Sequence, residues 1–334
     1  MQEDTSMFAI IQGLGLAALL SAISMMLVQR LDTSISPLIF AILLGLVLGN
    51  VLPGLAGSKW QPGLAFCKKR LLRIGVAFYG INITLQHIAA VGVGALLVDA
   101  VMLLSTLALA YWLGRRWLGL DAPTSLLVGA GSAICGAAAI LATEPVVRAK
   151  SQQTAVAVGT VVIFGTVAMF AYPLLYPLIG FSPEAMGIYT GATIHEVAQV
   201  VAAGSAMGND VAQTAVITKL TRVMMLAPVL LVLGSWLSRR SGVEAVRAPQ
   251  PWFAYGFIAV VVFNSLVQLP PVWVGTIQQL DSWALTMAMA ALGLGTHIGA
   301  LRSVGWKPLL LAAILFLHLV MTGLIVTHVA TSWL

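Results

Sequence analysis

The chain has 334 residues, 60% of them hydrophobic and only 8% charged, with a mean hydropathy of +0.99. Soluble domains carry roughly 25% charged residues, so these proportions exclude a water-soluble fold and define an all-α polytopic protein of the lipid bilayer. The net charge of +6 then reads as loop charge that sets topology, not as a footprint for nucleic acid; Cys67 and Cys135 are too few for a disulfide framework and are not spaced as a metal site.

In chain order, apolar segments fall near 8–29, 36–53, 68–87, 93–113, 124–147, 152–178, 187–206, 213–237, 252–269, 283–300 and 307–330. Most reach the roughly 20 residues that a spanning helix needs, and 36–53 sits at the short limit. The first is preceded by Met1-Gln-Glu-Asp4, acidic where a signal peptide would be basic, so it is expected to be retained. Trp112, Trp117, Trp236, Trp252, Trp283, Trp306 and Trp333 lie at or near segment ends, as interfacial anchors do.

Two segments depart from this apolar pattern and echo each other. Gly131-Ser-Ala-Ile-Cys-Gly-Ala-Ala-Ala-Ile-Leu-Ala142 and, sixty residues on, Gly191-Ala-Thr-Ile-His-Glu-Val-Ala-Gln-Val-Val-Ala202 both open on Gly and carry small or polar residues at their centres. Each is followed at the same distance by one tetrad, Gln153-Thr-Ala-Val156 and Gln213-Thr-Ala-Val216. A pair of interrupted apolar segments in corresponding positions of a repeat points to a transporter's binding site. A second echo, at an offset of 213, aligns Gly80-Ile-Asn-Ile83 with Gly293-Leu-Gly-Thr296 and Phe40-Ala41 with Phe253-Ala254; a one-residue gap sets Asn50 opposite Asn264. One transporter domain over 1–334 is therefore expected, with internal repeats pairing 36–113 with 252–330 and 124–178 with 187–237.

Charge chooses between two topologies. If all eleven segments cross, Arg148 and Lys150 fall on the side opposite the other basic loops. If 124–147 and 187–206 dip in and return, Lys59, Lys68 to Arg70, Arg73, Arg115, Arg116, Arg148, Lys150, Arg239, Arg240, Arg247, Arg302 and Lys307 share the cytoplasmic side. The second arrangement also gives the repeated pairs opposite orientation. The expectation is an inverted-repeat secondary transporter with nine crossings and two re-entrant hairpins, N-terminus cytoplasmic and C-terminus periplasmic; two broken helices that span are the alternative.

The runs Gly131-Ser-Ala-Ile-Cys-Gly-Ala-Ala-Ala and Ala192-Thr-Ile-His-Glu-Val-Ala-Gln-Val-Val-Ala-Ala203, with Lys219-Leu-Thr-Arg222 and Pro228 beyond, resemble the YeiH-type family of bacterial membrane proteins, described as sulfate exporters. The resemblance covers nearly the whole chain. It implies an inner-membrane anion transporter, similar in plan to bile-acid-type and citrate-type carriers.

Lys219 and Arg222 lie three apart on one helix face, about two turns inside the membrane, where charge marks a pathway or a partner. Their counterparts in the first copy are Gly159 and Val162, so only one half carries the charge. Read as a clamp, they offer an oxyanion a planar fork and a point charge; the competing reading is ion pairing with Glu196 or Asp99, or snorkelling. Gly131 and Gly136 allow close backbone approach, Gly191 repeats the first of them, and the helix starts beyond the breaks present N–H groups to an anion, while Ser132 and Thr193 add hydroxyls. Helix packing by small residues competes with that reading. His195 and Glu196 are candidates for a coupling H⁺ or Na⁺, and Cys135 occupies the slot matched by His195. Gln199 joins the substrate-binding set, although for it and Asn82 a helix–helix hydrogen bond competes. Asp99, His297 and His318 are read as packing or interface residues, and Glu144 with Arg148 as a helix-end pair.

The leading function is export of a small anion such as sulfate, sulfite or a sulfonate by alternating access. A divalent anion leaving an inside-negative cell gains roughly 4–5 kcal/mol per 100 mV, so export runs downhill without an ion partner. A cation-coupled organic carboxylate carrier is the second reading. An intramembrane enzyme is the third and weakest, because Ser132 and His195 lack an oriented third group. No cofactor is expected; the partners are the bilayer, the anion, H⁺ or Na⁺, and a second copy in a homodimer.

Overall fold

The computed structural model describes residues 2–31, 36–57, 59–241, 252–267, 269–296 and 305–332, and every regular element among them is a helix. In order these are α1 (Gln2–Leu31), α2 (Pro37–Val51), α3 (Gln61–Phe66), a π-turn (Cys67–Leu71), α4 (Leu72–Phe78), a 3₁₀ turn (Tyr79–Asn82), α5 (Leu85–Arg116), α6 (Ala122–Ala133), α7 (Ala137–Val147) and α8 (Ser151–Ile179). Then come α9 (Pro183–Thr193), α10 (Val197–Met207), α11 (Asn209–Met224), α12 (Leu226–Ser241), α13 (Trp252–Leu266), α14 (Pro271–Leu294) and α15 (Trp306–Ser332). Among the described residues, five stretches are long and apolar enough to cross a bilayer: Ile10–Arg30, Gly94–Arg116, Gln152–Ile179, Asn209–Leu237 and Trp306–Thr331. Large apolar side chains cover the outside, with Leu174, Leu178, Leu266 and Val272 more than three-quarters exposed, whereas Asp99, His195, Gln199, Lys219 and Arg222 are 0% exposed. That inversion suits a lipid solvent and an interior polar site. Arg247, His297 and Arg302 lie outside the described residues.

The chain forms two compact units, Met1–Gln86 with Trp252–Ala300, and His87–Pro251 with Leu301–Leu334. In the first, small residues let helix backbones touch. A Cβ on Gly45 of α2 would strike the Ala290 carbonyl of α14, and Gly293 of α14 lies on the Ile42 carbonyl and Gly45. Two side-chain amides tie the same unit. Asn50 Nδ2 donates to the Thr296 carbonyl at 2.9 Å, and Asn264 Nδ2 donates to the Ile83 carbonyl at 3.1 Å. The echo at an offset of 213, with its one-residue gap, sets Asn50 opposite Asn264 and Ile83 opposite Thr296, and under that alignment the two bonds are reciprocals. Asn82 accepts from Gln278 Nε2 at 3.0 Å, the helix–helix bond weighed from sequence.

The second unit holds both polar segments, and each is a helix, a three-residue break and a second helix. α6 and α8 run side by side in the same direction, since Gln153 Nε2 reaches Asp121 Oδ2 (2.6 Å) at one end and Gly131 faces Val161 at the other. Gly131 also faces Ile140, so α7 doubles back along α6. In the second copy Gly187 abuts Thr214 and Gly191 abuts Thr218, which sets α9 parallel to α11, whereas Gly204 lies on Ala212, so α10 returns antiparallel to both. Both first helices start on matched prolines, Pro123 and Pro183, behind side-chain caps from Asp121 (2.8 Å to the Thr124 N–H) and Ser182 (3.2 Å to the Ala185 N–H). Arg148 takes the left-handed C-cap of α7 (φ 52°), and no ion pair joins it to Glu144 among the described residues.

Candidate functional site

The two breaks solve one problem differently. A helix that stops inside a bilayer leaves carbonyls that water cannot reach, each costing several kcal/mol if unmet. At the end of α6, the Ile134 N–H donates to the Ala130 carbonyl and the Gly136 N–H reaches back to the Gly131 carbonyl, both at 3.0 Å. The second bond needs Gly136 at φ 70°, a conformation that glycine adopts without penalty. In the other copy that position is Glu196, in extended backbone at φ −107°. Here the end of α9 is closed from outside: Arg222 Nη1 donates to the Ala192 carbonyl and Lys219 Nζ to the Ile194 carbonyl. Both cations thus cap a helix C-terminus, where positive charge is favoured.

Arg222 is also paired. Its Nη2 lies 2.7 Å from Asp99 Oδ1, with both side chains fully buried. Of the two readings of Arg222, ion pairing with Asp99 is the one found, and Asp99 is therefore more than a packing residue. With Glu196, the cluster holds two acids and two bases and is formally balanced. A lone Asp99 or Arg222 at that depth would be far costlier than the pair.

The tips of the two folded-back segments meet. Glu196 Oε1 accepts from the Ala137 N–H, the first residue of α7, at 3.3 Å. The same carboxylate accepts from the third residue of its own helix, and Gln199 Oε1 returns a bond from the Glu196 N–H at 3.1 Å, a reciprocal capping box. Around these tips lie buried polar atoms without hydrogen-bond partners among the described residues: Ser132 Oγ, both ring nitrogens of His195, Gln199 Nε2, Arg222 Nε and, beside Arg222, Asp99 Oδ2. The His195 ring lies 6.3 Å from that of Phe316. Buried polar groups are nearly always satisfied, by protein or by ordered water, so this cluster is the candidate site.

Other expected residues fall elsewhere. Thr193 offers no free hydroxyl, because it donates to the Tyr189 carbonyl (2.6 Å) and accepts from Tyr172 (2.9 Å). A Cβ on Gly191 would strike the Ala215 carbonyl, so Gly191 serves the packing of α9 on α11 and not the tip. Gly131 contributes its carbonyl to the break, and Cys135 is buried within it. Gln199 lies against Gly165 of α8, where any larger residue would collide with its side chain. Sequence reasoning weighed Asp99 both as a packing residue and as an ion-pair partner, and the depth rule applied to Lys219 favours the second for an acid in the middle of the apolar span Gly94–Arg116.

Fold and site together define a polytopic helical membrane protein with a buried, charge-balanced polar centre at two broken helices. Comparison with known proteins narrows this class. The family profile described as Conserved hypothetical protein 698 matches residues 12–312. The chain is 49% identical to a UPF0324 membrane protein of Pseudomonas aeruginosa, over 97% of this chain and 95% of that one. It is 46% identical to the UPF0324 inner membrane protein YeiH of Escherichia coli K12 (99% and 97% covered) and 48% to that of Salmonella typhimurium (95% and 93%). The chain belongs to the UPF0324 family of membrane proteins, as its resemblance to YeiH-type sequences implies.

Proposed function

We propose that this chain is a secondary transporter of the bacterial inner membrane that exports a small anion, sulfate, sulfite or sulfonate-like, by alternating access around the paired tips. The observation that carries this reading is the character of the unpartnered groups: Gln199 Nε2 and Arg222 Nε are donors only, Ser132 and His195 can donate, and the tips add helix N-termini. Against these donors stands one acceptor-only atom, Asp99 Oδ2, so the centre favours an oxyanion. Lys219 and Arg222 act there as fixed, neutralised cations that hold the second break open. The reciprocal bonds of Asn50 and Asn264, and the doubling back of α6–α7 and α9–α10, support an inverted-repeat plan of nine crossings with two re-entrant hairpins. The name of the Escherichia coli relative, an inner membrane protein, supports the same location. The chain is read as a carrier and not an enzyme.

The balanced charge favours one second reading. With Asp99 and Glu196 offsetting Arg222 and Lys219, a dianion enters most cheaply with a cation, so H⁺ or Na⁺ coupling through His195 and Glu196, with an organic carboxylate as cargo, is the alternative. Efflux of radiolabelled sulfate and sulfite from proteoliposomes under an imposed potential separates the two. Potential-driven efflux of either anion, lost in His195→Ala and reduced at least tenfold in Ser132→Ala, is the expected result. No flux at any potential or pH, with Na⁺-dependent carboxylate uptake in its place, would replace it by the alternative.

A further inference from the structure

We infer that the Glu196 carboxylate is an internal stand-in for the transported anion, a latch that occupies the facing helix N-termini until substrate displaces it. This rests on the anion reading above and deepens it. Two helix starts, those of α7 and α10, converge on one point, and convergent N–H groups at helix starts are what an anion seeks. That point is already filled by a side chain of this chain. The Glu196 carboxylate takes the Ala137 N–H from α7 and a first-turn N–H from α10, so one negative group bridges both segments.

The neighbours are arranged for that bridge. Gly136 stands where a Cβ would collide with Glu196 Cγ, so the groove that admits the side chain exists because position 136 has none. Gln199 closes the capping box from behind and fixes the backbone from which Glu196 projects. Glu196 is half-buried, whereas Ser132, His195, Gln199, Lys219 and Arg222 are buried, so Glu196 is the least enclosed member of the cluster. An incoming oxyanion must compete with it for the same amides. Charge-assisted bonds to N–H groups are roughly twice as strong as neutral ones, so the competition is substantial. Displacement uncouples the tips, which makes tip separation a consequence of substrate binding.

Two measurements on the purified full-length chain test the latch. The first is equilibrium binding of radiolabelled sulfate and sulfite to wild type, Glu196→Gln, Glu196→Ala and Gly136→Ala. Removing the competitor (Glu196→Ala) or crowding it out of its groove (Gly136→Ala) is expected to tighten binding at least fivefold, with Glu196→Gln intermediate. Equal or weaker binding in Glu196→Ala overturns the proposal and makes Glu196 a ligand or a spectator. The second measurement needs no substrate: alkylation of Cys135, buried at the tip, in a Cys67→Ser background. Loss of the latch in Glu196→Ala is expected to speed labelling about tenfold, and an unchanged rate overturns the proposal. If neither anion binds any variant, the anion reading fails, and Cys135 labelling alone decides whether Glu196 ties the tips.

Discussion

The break between α6 and α7 and the break between α9 and α10 are counterparts 60 residues apart, yet one is closed by a glycine and the other by two cations. At the first, Gly136 turns through positive φ and returns its N–H to the helix that has just ended. At the second, Glu196 stands at the equivalent place and its backbone runs on extended, and the cations close the helix end through other carbonyls, Arg222 through Ala192 and Lys219 through Ile194. The asymmetry of charge between the halves, Gly159 and Val162 against Lys219 and Arg222, follows from the asymmetry of capping. Buried charge inside a membrane protein therefore need not announce a ligand. Here its first duty is to finish a helix, and Asp99 is the counter-charge that makes the arrangement tolerable. What the second copy gains is a carboxylate at its tip that bridges both segments, which a glycine cannot supply.

The comparison breaks most visibly at Arg222. Arg222→Ala strands Asp99 without its partner and exposes the Ala192 carbonyl, so a loss of about 3–5 kcal/mol is expected. Thermal melting of the detergent-solubilised chain, followed by fluorescence size exclusion, reads it. Adding Asp99→Ala should recover part of the loss but not all, because the orphaned carbonyl remains and costs about 1–3 kcal/mol. A double variant as stable as wild type would mean that Arg222 does no capping. The mirror experiment is Gly136→Ala. Positive φ costs a non-glycine residue roughly 1–2 kcal/mol, and the new methyl also meets Val161 and Glu196, so about 2–3 kcal/mol is expected from one added carbon. The same change at Gly180, whose φ of 73° lies in a surface turn with open space around it, should cost only the backbone share.

Much of this was legible in the chain, and the exceptions share a cause. Hydropathy located the helices because lipid sorts residues by transfer energy alone, and the breaks stood out because the repeat placed small and polar residues at matched positions. α14 starts at Pro271, well before the expected 283, because Gln278, Gln279 and Asp281 lower the local hydropathy of a helix whose first turns are exposed. Asp99 carried no echo in the other copy, so the repeat argued for packing while depth argued for the ion pair with Arg222 that is found. Thr193 looked like a free hydroxyl because its consumer, Tyr172, lies on α8 and sequence spacing cannot show that the two meet. The targets of Lys219 and Arg222 were hidden for the same reason. Spacing places two cations on one face, but which carbonyls face them is settled by how α9 lies on α11.

The smallest effect is the sharpest test of the comparison. Lys219→Met should cost about 1–3 kcal/mol in the wild-type background, the value of a carbonyl left unmet. If capping by glycine and capping by cation are alternatives, giving the second break a glycine should make Lys219 less necessary. In Glu196→Gly the new residue can turn through positive φ and return its N–H to the Gly191 carbonyl, as Gly136 does to Gly131. Such a turn would give Ile194 the ψ of Ile134, −88° in place of 143°, and so swing the Ile194 carbonyl away from Lys219. The cost of Lys219→Met should then fall by about 1 kcal/mol. Removing Glu196 also removes a negative charge near Lys219, which by itself changes what losing the lysine costs. Glu196→Gln is the control, since it removes the charge but keeps a residue that resists positive φ. A saving in the glycine background beyond that in the glutamine background assigns the difference to backbone capping. Equal savings would assign it to charge, and the two breaks would then differ in electrostatics and not in how their helices end.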